Sequence, residues 1–145
     1  MAAIHRAHIE GRMREGGLKV TPQRFAVLEF LAASHDHPTA DEIFKAINHQ
    51  FPRASRATVY NAVTALAEAG MIDVMCLDDG ITRYDANLTP HHHFVCRQCY
   101  KIFDVPSDEV RGKLTMQTPH EVESYEVIIR GLCQHCQSKQ AKRAK

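Results

Sequence analysis

Four of the five cysteines form two Cys-x-x-Cys pairs, a spacing suited to a metal ion. The pairs are Cys96/Cys99 and Cys133/Cys136, with 33 residues between them. Two thiolates on one tight turn can point at a single ion, and two such turns complete a tetrahedral sulfur site with no position left for water. We therefore expect a structural zinc ion. A redox pair or a disulfide framework is the alternative, but reduced cytosolic thiols favour the metal. The fifth cysteine, Cys76, lies among apolar residues and is expected to pack there.

A run of three histidines directly before the first cysteine pair is a second candidate for metal chemistry. In an extended strand His91 and His93 lie on one face and His92 on the other. Asp85 lies six residues before His91. Imidazole nitrogens with a carboxylate oxygen suit iron, manganese, zinc or nickel. The alternative is that this histidine tract is simply polar surface.

Composition limits the classes of protein that can use these residues. The chain has 145 residues, with 18 Lys and Arg against 17 Asp and Glu, and a formal net charge of +1. The 44% of hydrophobic and 24% of charged residues are typical of a globular protein, which excludes a disordered chain. No apolar run approaches the roughly 20 residues of a membrane span. The first 17 residues lack the apolar segment of a secretion signal, so we expect a cytoplasmic protein without a membrane partner.

Helix-start signals occur three times in the first half of the chain. Thr21 stands directly before a proline, Thr39 and Glu42 have the spacing of a capping box, and Ser55 caps a helix predicted over residues 55–69. Each signal is followed by apolar residues at helical spacing. We therefore predict three short helices in succession.

A β-hairpin is predicted directly after these helices. Two strand-like segments, residues 71–77 and 81–84, flank an Asp-Asp-Gly turn at residues 78–80. Three helices followed by a hairpin is the order of a winged helix-turn-helix, which we assign to residues 1–84. A small helical bundle without a particular function is the alternative.

The third predicted helix would be the one that enters the major groove of DNA. Its first turns carry side chains that can bond to bases or phosphates, and the DNA-contact candidates are Ser55, Arg56, Thr58, Tyr60 and Asn61. Residues 1–84 contain nine Lys and Arg and ten Asp and Glu, a net charge of −1. Such a domain would bind DNA weakly as a monomer, so we expect two half-sites to add in a dimer.

The second half, residues 85–145, is predicted to be a small metal-binding α/β dimerisation domain. Strands are expected near the histidine tract, at residues 101–105 and at 125–131, with a helix over 107–117. The order is β-β-α-β. The whole chain is thus assigned to the α+β class, with a winged helix-turn-helix followed by a small domain that contains a structural zinc site.

Taken in order, these motifs resemble the ferric uptake regulator superfamily of metal-dependent bacterial repressors. The similarity runs through Thr-Pro-Gln-Arg at 21–24, His-Pro-Thr-Ala at 37–40, Ala-Thr-Val-Tyr at 57–60 and both cysteine pairs. Within the superfamily the chain is most similar to the peroxide-sensing branch. It has Asp104 where iron-uptake members more often have glutamate, and Asn61 where they tend to have arginine.

The resemblance implies a regulator rather than an enzyme. It implies Fe²⁺ or Mn²⁺ at a regulatory site whose ligands match His37, Asp85, His91, His93 and Asp104. It also implies that peroxide oxidises His37 or His91 through Fe²⁺, and so controls oxidative-stress and metal-homeostasis genes. The implied partners are a second copy of the chain and an AT-rich palindromic operator in double-stranded DNA. An iron- or manganese-responsive uptake regulator without peroxide sensing is the alternative. A metallohydrolase or a metal-storage protein is a remote one.

Overall fold

A computed structural model describes residues 2–143 except residues 51, 53, 78, 111–116 and 118. The chain forms two compact units, Met1–Leu88 and Thr89–Lys145, called the first and second unit below. Asp85, which we assigned from the sequence to the second domain, lies in the first unit.

The first unit contains four helices and a hairpin among its described residues. The helices are α1 (Ala2–Glu15), α2 (Pro22–Ala33), α3 (Ala40–Asn48) and α4 (Arg56–Glu68), and the strands are β1 (Asp73–Cys76) and β2 (Thr82–Asp85). The two strands pair antiparallel, with Val74 opposite Tyr84. Helices α2 to α4 followed by this hairpin form the winged helix-turn-helix that the sequence predicts.

The core of the first unit lies between α2, α3 and α4. Leu28, Ile43, Val63 and Leu66 are fully buried there. Burying a side chain of this size stabilises a fold by about 1.5–3 kcal/mol. Helix α1 was not predicted, because its apolar residues alternate with charged ones and do not gather on one helical face. Of its described side chains, Ile9 and Met13 belong to the buried core.

Helix α3 begins with a complete capping box. The Thr39 hydroxyl accepts a hydrogen bond from the Glu42 backbone N–H at 3.2 Å, and the Glu42 carboxylate accepts one from the Thr39 backbone N–H at 2.8 Å. Two backbone donors that the helix itself cannot satisfy are thereby paired.

We expect Thr39→Ala to lower the free energy of unfolding by about 1 kcal/mol, because it leaves one of these donors without its partner. Urea denaturation followed by circular dichroism measures the change. Thr39→Ser keeps the hydroxyl and is the matched control. Equal unfolding midpoints for the two variants would contradict this role of the hydroxyl.

The turn before α3 is attached to strand β2. The Tyr84 backbone N–H donates to the Pro38 carbonyl at 3.0 Å, and Thr39 forms an isolated antiparallel bridge with Arg83. Tyr84 is buried, and burial raises the pKa of its hydroxyl. These contacts bring the residues next to the turn close to the end of β2.

The second unit contains a three-stranded sheet and a final helix among its described residues. Strands β3 (His91–Cys96), β4 (Ile102–Pro106) and β5 (Ile128–Gly131) are followed by α5 (Gln134–Arg143). The sheet order is β4-β3-β5; β3 pairs antiparallel with β4 and parallel with β5. The last strand is shorter than the predicted 125–131, because residues 125–127 precede the ladder.

Two further predictions, a helix over residues 107–117 and a packed Cys76, are not confirmed by the described residues. Residues 107–110 form a turn and a bend, and most of the helix predicted over 107–117 lies in residues 111–116, outside the described residues. Cys76 is exposed at the end of β1, so the expectation that it packs in a core is wrong. Its strand belongs to the two-stranded hairpin, which offers too little cover on that face.

Within the described part of the chain, no helix has the length and apolarity needed to cross a membrane.

Candidate functional site

The four cysteines of the two Cys-x-x-Cys pairs come together in the second unit. One sulfur atom from each lies within 4.8 Å of the others. Cys99 Sγ and Cys133 Sγ are 3.8 Å apart. A zinc–sulfur bond of about 2.3 Å gives a tetrahedral sulfur–sulfur edge of about 3.8 Å. All five cysteines of the chain are free of disulfides. The cluster therefore fits a closed zinc site, and the disulfide alternative does not apply to this structure.

Two turns present these sulfur atoms. The first follows β3, where the Tyr100 backbone N–H donates to the Cys96 carbonyl at 2.9 Å. Tyr100 takes a left-handed conformation, with φ of 58°, and thereby reverses the chain. The second turn follows β5 and leads into α5, where the Gln137 backbone N–H donates to the Cys133 carbonyl at 3.0 Å. Because β3 and β5 are parallel, both turns lie at the same end of the sheet.

The surroundings shift the pKa values of two cysteines of the cluster in opposite directions. Hydrogen bonds from the backbone N–H groups of Cys133 and Cys99 stabilise the Cys96 thiolate and lower its pKa to about 6. Burial, together with the neighbouring sulfur atoms, raises the pKa of Cys136 to about 12. Backbone N–H donors therefore favour thiolates in this cluster, whereas burial disfavours them unless a bound cation compensates the charge. This is the donor chemistry of a zinc site.

A second group of donors lies in the same unit and consists of His91, His93 and Asp104. The Nε2 atoms of the two histidines are 2.9 Å apart, and the Asp104 carboxylate lies 3.6 Å from His91 Nε2. Strand pairing explains the arrangement, because His93 is opposite Asp104 in the β3–β4 ladder. His92 lies apart from this group: its ring stacks on Tyr125 at 5.6 Å.

In the first unit His37 and Asp85 approach each other at the turn that is attached to β2. His37 Nε2 is 3.4 Å from Asp85 Oδ2, and both residues are buried. Asp85 Oδ1 accepts a hydrogen bond from the Asn87 backbone N–H at 2.7 Å. His37 has a φ of 49°, a left-handed conformation that costs free energy in residues with a side chain. The surrounding contacts therefore hold His37 in a backbone conformation that is unfavourable in free energy.

The five DNA-contact candidates differ in their surroundings. The Ser55 hydroxyl caps α4 by accepting from the Thr58 backbone N–H at 3.1 Å. Arg56 forms a close ion pair with Asp41, and its guanidinium group lies 5.0 Å from the centre of the Phe44 ring. Tyr60 and Asn61 are exposed one turn further along the helix. Only these last two present their side chains outward without a capping or ion-pair contact among the described residues.

One acidic residue beside the histidine group escaped the sequence analysis. Glu126 Oε1 lies 2.5 Å from His93 Nδ1, although 33 positions separate the two residues. The parallel pairing of β3 with β5 creates this contact. No local sequence signal marks it.

Comparison with known proteins identifies the family. A family model described as the ferric uptake regulator family matches residues 15–129. The chain belongs to the ferric uptake regulator family. This chain is 40% identical to the peroxide-responsive repressor PerR of Staphylococcus saprophyticus over 130 residues, which are 88% of each protein.

Solved structures agree with this assignment. PerR from Streptococcus pyogenes, a peroxide-sensing gene regulator, is 29% identical with a TM-score of 0.52, and the match covers 90% of this chain and 92% of that one. The Helicobacter pylori ferric uptake regulator, which has three functional metal binding sites, has a TM-score of 0.71 over 91% of this chain and 93% of that one. At 24% identity, the latter similarity shows the fold alone. The predicted fold class and superfamily are thus confirmed.

Proposed function

We propose that this chain is a metal-dependent, peroxide-responsive repressor of transcription. The observation that carries the proposal is a nitrogen- and oxygen-rich donor group in the same chain as a winged helix-turn-helix and a separate closed cysteine site. The cysteine cluster accounts for structural zinc. The donor group of His91, His93 and Asp104 is then left for a regulatory ion. The relatives named PerR support the peroxide response.

The proposed regulatory site combines donors from both units. His37 and Asp85 of the first unit and His91, His93 and Asp104 of the second would bind one ion. Three imidazoles and two carboxylates suit Fe²⁺ or Mn²⁺. Bound Fe²⁺ would catalyse the reaction of hydrogen peroxide with a histidine ligand, in which one peroxide oxygen adds to the imidazole ring and the other leaves as water. His37 and His91 are the side chains that we expect to gain oxygen, as the family resemblance implies.

Ligands in both units provide a physical link between the metal and DNA. An ion bound by both units would stabilise one arrangement of them, through contacts that other arrangements lack. Coupling of this kind is typically about 1–3 kcal/mol, or roughly 5- to 150-fold in affinity. Oxidation of His37 or His91 would remove a ligand and with it that stabilisation. The DNA would then be released.

For DNA binding, we propose that α4 enters the major groove. Tyr60 and Asn61 would contact base edges, and Arg56 would contact a base or phosphate after exchanging its bond to Asp41. The chain would act as a homodimer on an AT-rich palindrome. One winged helix-turn-helix with so little positive charge binds DNA weakly, so two of them must each bind one half-site. Such a repressor works in the cytoplasm, where DNA is accessible and thiols stay reduced.

Electrophoretic mobility shifts with an AT-rich palindrome test this function. We expect Mn²⁺ to raise the affinity of the zinc-loaded protein about 5- to 150-fold. His91→Ala should remove this effect, whereas His92→Ala, whose ring contacts Tyr125 instead, should retain it. Binding that does not depend on Mn²⁺ would contradict the switch. A failure to bind any DNA would contradict the repressor and favour a metallohydrolase or a metal-storage protein.

A further inference from the structure

We propose that Glu126 is a positioning residue that fixes the orientation and the tautomer of His93 for metal binding. This inference rests on the proposed function, since it assumes that His93 is a ligand. It concerns a residue that lies outside the five proposed ligands.

The contact between the two side chains is short and joins β3 to the segment directly before β5. Glu126 Oε1 is 2.5 Å from His93 Nδ1. The His93 backbone N–H donates to the Val127 carbonyl at 3.1 Å, and His93 is opposite Ile128 in the β3–β5 ladder. Glu126 therefore lies two residues before β5, next to the backbone hydrogen bond between Val127 and His93, which fixes its distance to the ring. The His93 side chain is 7% exposed and the Glu126 side chain 49%.

The partner of each Nδ1 atom decides which ring nitrogen holds the proton. A carboxylate only accepts hydrogen bonds, so His93 Nδ1 must carry a proton and donate it to Glu126. His91 Nδ1 lies 2.7 Å from the Thr89 carbonyl, which also only accepts. Both rings thus hold their proton on Nδ1, and both Nε2 atoms are the ones able to bind a metal.

The two Nε2 atoms then face each other at 2.9 Å. Two lone pairs at this distance repel each other unless a positive charge, such as a metal ion or an additional proton, lies beside them. Asp104 approaches the Nε2 side of His91, whereas Glu126 contacts the Nδ1 side of His93. The two carboxylates therefore have different roles. Asp104 lies where it could bind the metal itself, whereas Glu126 contacts the ring nitrogen of His93 that does not bind the metal.

Histidines that bind metals generally donate their other N–H to a carboxylate or a carbonyl, and loss of that partner typically lowers metal affinity by about 10- to 100-fold. We therefore expect Glu126→Ala to weaken Mn²⁺ binding by about 10- to 100-fold. Glu126→Gln, whose amide oxygen still accepts, should lose less. Glu123→Gln removes an exposed carboxylate three positions earlier and should bind Mn²⁺ like the wild type.

The measurements are Mn²⁺ affinity by competition with a chelating dye and ¹⁵N NMR of the His93 ring in zinc-loaded, Mn²⁺-free protein. The NMR spectrum should show the Nδ1–H tautomer in the wild type and a shift toward Nε2–H in Glu126→Ala. Full zinc content shows that each variant is folded.

His93→Ala separates the two possible failures. If His93→Ala abolishes Mn²⁺ binding and Glu126→Ala leaves the affinity unchanged, the positioning role is wrong and the proposed metal centre stands. If His93→Ala itself leaves Mn²⁺ affinity unchanged, His93 is not a ligand, and the proposed regulatory site fails with it.

Discussion

Replacing Cys96 by serine is expected to release the zinc ion and to unfold the second unit. Among the described residues, the buried hydrophobic cluster of that unit consists of Cys96, Cys133 and Cys136, with Phe94 and Leu132 packed against it. The first unit, by contrast, has a core cluster of 17 buried residues among those described. A core as small as that of the second unit cannot offset the chain entropy lost on folding. In small zinc domains about 10–16 kcal/mol of metal binding supplies the folding free energy.

Zinc analysis and amide NMR spectra of the full chain check this expectation. Resonances of β3 to β5 should collapse toward random-coil positions in Cys96→Ser, while those of α2 to α4 remain dispersed. Cys76→Ser is the matched control, because this exposed cysteine lies outside the cluster and its replacement should leave zinc content and spectra unchanged. A Cys96→Ser protein with dispersed β3 resonances would contradict a folding role for the metal.

Hydrogen peroxide is expected to abolish DNA binding by the Fe²⁺-loaded protein and to leave the Mn²⁺-loaded protein active. His37 and His91 would hold the iron, which would promote oxidation of these rings by peroxide, and one added oxygen atom would destroy the donor capacity of either histidine. With that ligand the coupling of about 1–3 kcal/mol between metal and DNA would be lost. We therefore expect the operator affinity to return to that of the metal-free form.

Mass spectrometry of peptide digests locates the modification. Peptides with His37 or His91 should gain the mass of one oxygen, and fragment spectra must distinguish His91 from its neighbour His92. Because the His92 ring stacks on Tyr125, it serves as an internal control that should stay unmodified. Oxidation confined to cysteines, or none at all, would contradict peroxide sensing by histidine and favour an iron- or manganese-responsive uptake regulator.

The features that the sequence predicted correctly carry a local signal. Thr39 with Glu42, and Ser55 with Thr58, make their capping contacts within three residues of each other. The two cysteine pairs need only short turns to aim their sulfur atoms. The hairpin after α4 was visible from its Asp-Gly turn, where Gly80 takes the left-handed φ of 71°.

What the sequence could not show depends on pairing between distant segments. Among its described side chains, helix α1 contributes Ile9 and Met13 to the core, so its apolar periodicity is weak. The contact of Glu126 with His93 exists only because β5 pairs parallel with β3. The bond between Asp41 and Arg56 joins two helices, and it changes the interpretation of Arg56 from a ready DNA contact to one that must first leave an intramolecular partner.

Because β3 pairs parallel with β5, a metal ion in the cysteine cluster would also fix the register between these two strands. Cys96 is opposite Gly131 at the end of the ladder, and His93 is opposite Ile128 at its beginning. A slip of one residue would turn every β3 side chain to the other face and would present His92 to Glu126 in place of His93. An ion bound between the ends of both strands would oppose this slip. The metal with no direct part in sensing would thus determine which histidine the sensor uses.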